Sequence, residues 1–178
     1  MKSVTTIIGR LFPFPNTIPK HILENARQRG TAIHDWIESY NNQFITGEVA
    51  SVIDFQYLDY GDNYLKWFEE YEVEPILNEV RTSWNGVTGK IDLLCKTKDH
   101  DVCLVSFKAT NQINIPYCEL QESAYNRLLI ENEYLEGKVP KYVLHLKRDG
   151  YEFKELQDRE DLFWKLVELD KYLEEHKK

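Results

Sequence analysis

The chain has 178 residues, 42% of them hydrophobic and 29% charged, a globular composition that suits one domain over residues 1–178. Its net charge of −8 excludes a protein that grips nucleic acid by bulk positive charge. No apolar run approaches the roughly 18 residues of a membrane span, which excludes a membrane partner of that kind.

At the N-terminus, the apolar run is short and broken by Arg10 and Pro13, a poor secretory signal, so the expected location is cytoplasmic. Pro13, Pro15 and Pro19 punctuate an irregular lead, and Pro19 is placed to open a helix from about Lys20, interrupted or kinked near Gly30. Beyond the glycine, Ala32, Ile33, Trp36, Ile37 and Tyr40 recur at helical spacing, with Thr31 as a cap. Residues 41–53 read as a loop. A second helix spans about Phe55 to Tyr71 with a broad aromatic face that includes Tyr60, Tyr64, Trp67 and Phe68.

Three strands follow at about 76–83, 88–96 and 102–109, joined by an Asn85-Gly86 hairpin turn and a polar turn at Lys98 to Asp101. Pro116 opens a helix that carries Leu120, Ala124, Tyr125, Leu128 and Leu129 and ends near Gly137. A strand at Tyr142 to Leu146 turns back at Asp149-Gly150 through Tyr151 to Phe153. The last helix, roughly Arg159 to Glu175, is expected to bury Leu162, Phe163, Leu166, Val167 and Leu169. This order predicts an α/β (α+β) fold, an αβββαβ core whose central mixed sheet is flanked by helices. Cys95, Cys103 and Cys118 contain no CxxC pair, so neither a disulfide framework nor an iron–sulfur cluster is expected.

The chemistry concentrates between Gly89 and Tyr125. Asp92, in Gly89-Lys-Ile-Asp92, lies in an apolar strand, where a carboxylate needs a cation or hydrogen bonds. Lys108, in Ser106-Phe-Lys108, lies on the next strand, on the same face as Ser106. A carboxylate and a lysine on neighbouring strands can hold a divalent cation and activate water beside it. Gln121 and Tyr125 are one helical turn apart on one face. The position two before Lys108, best placed for a second carboxylate, is Ser106.

Gly30-x-x-x-His34, Glu79, Gly89-x-x-Asp92, Ser106-x-Lys108 and Gln121-x-x-x-Tyr125, in that order on these elements, resemble the PD-(D/E)xK nucleases. The resemblance is especially to the RecB-like and lambda-exonuclease-like branch common in phage genomes, and it covers roughly residues 4–130. It implies a restriction-endonuclease-like fold with a motif-bearing core at about 30–147, followed by a C-terminal hairpin strand and helix at 151–176. It implies a Mg²⁺- or Mn²⁺-dependent deoxyribonuclease, exonuclease-like, acting on DNA ends or single strands in DNA processing or recombination. A recombination protein and further copies of the chain are its implied partners.

By the same resemblance Asp92 is the central metal ligand, joined by His34, the backbone carbonyl of Phe107 and Glu79. Lys108 and Gln121 orient the attacking water, with Tyr125 close by, and Gly30 lets the first helix start near the sheet. Ser106 departs from the family, which carries Asp or Glu there. Three readings stay open: the missing carboxylate has moved to Glu122 on the next helix, with Glu119 close by; the protein is an inactive homologue acting as a DNA- or protein-binding module; or the serine is a deliberate change.

Overall fold

The computed structural model describes residues 1–13 and 18–176, so Pro15 lies outside the described residues. One six-stranded mixed sheet forms the centre. Its strands are β1 (Lys2–Ser3), β2 (Glu74–Trp84), β3 (Val87–Thr97), β4 (His100–Lys108), β5 (Lys141–Leu146) and β6 (Tyr151–Glu155). Helices α2 (Lys20–Ile45) and α3 (Leu58–Glu70) cover one face; α1 (Val4–Gly9), α4 (Ile115–Glu131) and α5 (Glu160–Glu175) cover the other. The expected sheet with helices on both sides is therefore present. No helix among the described residues is long and apolar enough to cross a membrane.

Several boundaries differ from the sequence reading. The first strand and helix were expected to be irregular lead; Ser3 instead caps α1, its hydroxyl accepting from Thr6 N at 3.0 Å. Helix α2 runs unbroken from Lys20 through Gly30, so Thr31 is interior rather than a cap. Gly30 does not start a helix near the sheet, because a Cβ there would meet nothing within 4 Å. A single glycine weakens a helix by only about 1 kcal/mol, and burial of Ile33, Trp36 and Ile37 outweighs it.

The same helix passes through Asn41 and Asn42, which read as the start of a loop. Tertiary hydrogen bonds hold them: Tyr64 Oη donates to Asn41 Oδ1 at 2.6 Å, and Asn78 Nδ2 donates to Asn42 Oδ1 at 3.1 Å. In α5, Leu162 and Leu169 are half exposed, against expectation, and the inward positions are Phe163, Val167 and Asp170. Asp170 is buried because Lys2 and Arg10 both ion-pair with it, which rotates the helix toward the N-terminal segment.

Strand pairing leaves a gap where the chemistry lies. One edge of β3 pairs with β2 over its length. The other edge meets β1 at Val87 and Thr88, and β4 only from Leu93 onward. Between them Gly89 to Asp92 have no ladder partner on that side among the described residues. Past Val105, strand β4 pairs with β5 alone, so β3 and β4 open as a fork at Asp92 and Ser106.

Gly89 sets how closely α4 approaches this gap. A Cβ there would sit 2.7 Å from Tyr125 Cε1 and 2.9 Å from Leu128 Cδ1, both in the core against α4. Gly89→Ala is therefore expected to lower stability by about 1–3 kcal/mol, measured as a fall in the urea midpoint at unchanged m-value.

Candidate active site

The fork opens into a cavity of about 520 Å³ lined by Gly30, His34, Glu79, Asp92, Lys108, Gln121 and Tyr125, among others. Asp92 Oδ2 accepts the Phe107 backbone N–H at 2.9 Å, taking the place of the ladder bond lost where the strands part. The Phe107 carbonyl lies 3.1 Å from His34 Nε2. With that nitrogen donating, Nδ1 is left as the lone-pair side, and it faces Glu79 Oε1 at 3.5 Å and Asp92 Oδ1 at 3.9 Å.

Glu79 reaches the same point through a backbone outlier. It sits opposite Asp92, between the pairs Val80↔Ile91 and Asn78↔Leu93, with φ of 54° in the left-handed region. A non-glycine residue there is disfavoured by about 1–2 kcal/mol, and the distortion turns the carboxylate toward His34 and Asp92. One donor atom from each of these three residues lies within 4.8 Å of the others. An imidazole with two carboxylates is a donor set suited to a divalent cation such as Mn²⁺ or Mg²⁺.

The charges adjust to one another. Burial works to lower the His34 pKa, but the Asp92 charge and the Glu79 hydrogen bond raise it overall. Burial would raise the Glu79 carboxyl, yet His34 and Lys90 bring it below its ordinary range. Protonation of His34 at Nδ1 would therefore compete with a cation held between the three side chains.

On the other side of the cavity Lys108 Nζ donates to Gln121 Oε1 at 3.0 Å, and Gln121 Nε2 donates to Tyr125 Oη at 3.0 Å. The i, i+4 pair thus orients the lysine, and burial raises the Tyr125 hydroxyl pKa so that it stays protonated. Eight of the motif residues singled out from the sequence (Gly30, His34, Glu79, Gly89, Asp92, Lys108, Gln121 and Tyr125) line this one cavity. The sequence reading gave no part to Lys90, Arg81, Ser3 or Thr5, which also line it. Lys90 stood inside the Gly89-x-x-Asp92 motif, so a signal for it existed; the N-terminal pair carried none.

Glu119 and Glu122 part company. Glu119 turns away, accepting from Arg159 Nε at 3.0 Å. Glu122 is fully buried behind Ser106, outside the three-residue cluster. Its Oε1 and the Ser106 hydroxyl make no well-aligned hydrogen bond among the described residues, although the hydroxyl stands close enough to draw the carboxyl pKa down. Burial pushes the Glu122 carboxyl up to about 8 and the Asp92 charge adds to this, while Lys108 and the nearby Ser106 pull against it.

Folding without metal therefore takes up a proton at Glu122. The unfolded carboxyl titrates near 4.5 and the folded one near 8, so the Glu122 contribution to stability is fully present below 4.5 and is lost as pH rises through 8. In metal-free protein Glu122→Gln is expected to flatten this slope, which reaches at most about 1.4 kcal/mol per pH unit. Urea unfolding at several pH values between 5 and 9 measures it.

No protein-family model and no curated protein matches this sequence. Among solved structures, the chain is similar to an alkaline exonuclease (LHK-Exo) from Laribacter hongkongensis, with 13% identity and a TM-score of 0.51 over 97% of this chain and 86% of that one. The same exonuclease in complex with dAMP is similar at 14% identity and a TM-score of 0.50, over 98% of this chain and 86% of the other. At such identity the likeness is one of fold: this chain has the mixed sheet and flanking helices of that exonuclease.

Proposed function

We propose that the protein is a metal-dependent DNA nuclease of exonuclease-like type. The observation that carries this reading is the placement of His34, Glu79 and Asp92 within ligand distance of one another in the cavity that also holds Lys108. The fold it shares with an exonuclease supports the reading.

In this reading His34 Nδ1, Glu79 and Asp92 hold one divalent cation, and the Phe107 carbonyl orients the imidazole. When bound, such a cation supplies positive charge for the phosphate oxygens and acidifies a water. Lys108, fixed by Gln121, lies beside the attacked phosphate, where its ammonium orients the water and offsets charge developing on the non-bridging oxygens. Water attacks phosphorus and loses a proton to solvent as the P–O3′ bond breaks. The O3′ oxygen gains a proton, leaving a 3′-hydroxyl and a 5′-phosphate. Tyr125 stays neutral throughout and holds Gln121 in place.

Ser106 favours a second reading, a module that binds DNA or a protein without cutting it. A neutral hydroxyl stands where the family has a carboxylate, and Glu122 is withheld behind it. In either reading the cytoplasm is the proposed location.

Mn²⁺ at about 100 times its dissociation constant is expected to stabilise the wild type by about 2.7 kcal/mol, and Asp92→Ala to lose that stabilisation in a thermal melt. On linear single- and double-stranded DNA with Mn²⁺, Lys108→Ala is expected to reduce cleavage by about 10²–10³-fold. Metal-dependent stabilisation with no cleavage of any DNA by the wild type would establish the binding module instead.

A further inference from the structure

Lys90 stands on β3 opposite Arg81 of β2, two residues before Asp92. Its ammonium ion-pairs with Glu79 Oε2 and lies 3.9 Å from Glu38 Oε2. The Glu79 carboxylate is therefore divided: Oε1 faces His34 Nδ1 and the candidate cation position, while Oε2 is held by a fixed positive charge.

That division bears on how many ions the site accepts. Two-metal sites place their ions about 3.5–4 Å apart, an arrangement that carboxylates sharing both ions stabilise. Here each carboxylate of the cluster already has its second oxygen engaged by a protein donor. Glu79 commits Oε2 to Lys90, and Asp92 commits Oδ2 to the Phe107 N–H. Ser106 adds no charge on the far side, and Glu119 is engaged with Arg159. Only one group of three donor residues exists among the described residues.

The charge balance agrees. The acidic side chains lining the cavity, Asp35, Glu79 and Asp92, are matched in number by Arg81, Lys90 and Lys108. One divalent cation already makes this lining positive toward a phosphodiester, and a second would enter with no unmatched carboxylate to hold it.

We propose that the site takes a single divalent cation and that the Lys90 ammonium stands in the place of a second, fixing Glu79 and supplying positive charge beyond it. This rests on the cation reading given above. Lys90 acts as a positioning residue, through Glu79, and is separate from Lys108 at the other wall.

The test counts ions rather than turnover. Mn²⁺ titrated into the full chain is followed by calorimetry and by electron paramagnetic resonance, which distinguishes an isolated ion from a spin-coupled pair. Wild type and Lys90→Arg are expected to bind one uncoupled ion per chain. Lys90→Met and Lys90→Gln, which remove the charge from a side chain that is 39% exposed, are expected to bind two with a coupled spectrum. Two variants are used so that the result does not depend on the folding of one, and a thermal melt of each checks it. Two ions in the wild type, or one in both uncharged variants, overturns the proposal. No ion in the wild type overturns the cation reading itself, an outcome distinct from either.

Discussion

The hydrogen bond from the Phe107 N–H to Asp92 Oδ2 holds the centre of this molecule together. Strands β3 and β4 part at this point, and a fork in a buried sheet leaves backbone groups without partners. A side-chain carboxylate closes the fork from one side, and the Phe107 carbonyl meets His34 from the other. The Phe107 ring is fully buried, set edge-on against Tyr64 at 5.7 Å between centroids. A single residue therefore links the aromatic core to two of the three clustered donors. Nothing at this junction can shift without disturbing both.

The long helix α2 and the distorted strand β2 bring the remaining parts to that junction. Helix α2 buries Ile33, Trp36 and Ile37 against α3 and the sheet, which fixes the rotation that aims His34 into the fork. Glu79 comes from a left-handed backbone position that a regular strand would not use. Strain of this sort persists where surrounding contacts over-determine it, and here His34 and Lys90 hold the carboxylate at both oxygens. On the opposite wall Gly89 lets α4 come close enough for Tyr125 and Gln121 to reach Lys108. Each wall is thus set by packing outside the cavity.

Ser106 and Glu122 show how the same packing limits the site. A serine between Val105 and Phe107 leaves room on the α4 side of the sheet, and Glu122 lies against it, buried and with one oxygen unpartnered. A carboxylate in that position is neutral over much of the ordinary pH range, so it adds little charge to the cavity beside it. The positive side chains of the cavity, Arg81, Lys90 and Lys108, consequently face a lining that carries Asp35, Glu79 and Asp92 as its carboxylates.

Periodicity and turn chemistry in the sequence were enough to determine the order of the core elements. The apolar runs within Val87–Thr97 and His100–Lys108, the Asn85-Gly86 turn and the apolar face of α4 are local properties, and local properties survive folding unchanged. Local pattern marked Asp92, Lys108, Gln121 and Tyr125, and the order of motifs that resembles the nuclease family added His34. Tertiary contacts decided the rest. The N-terminal strand exists because β3 offers it an edge, α2 continues because distant partners hold Asn41 and Asn42, and α5 rotates because Asp170 meets Lys2 and Arg10. Lys90 took on a partner only when β2 placed Glu79 beside it, and Glu122 is driven toward its neutral form only by its burial in the fold and the nearby Asp92 charge. Spacing along a chain specifies which residues share a face; burial and the charges that surround a group depend on the other elements, which spacing does not contain.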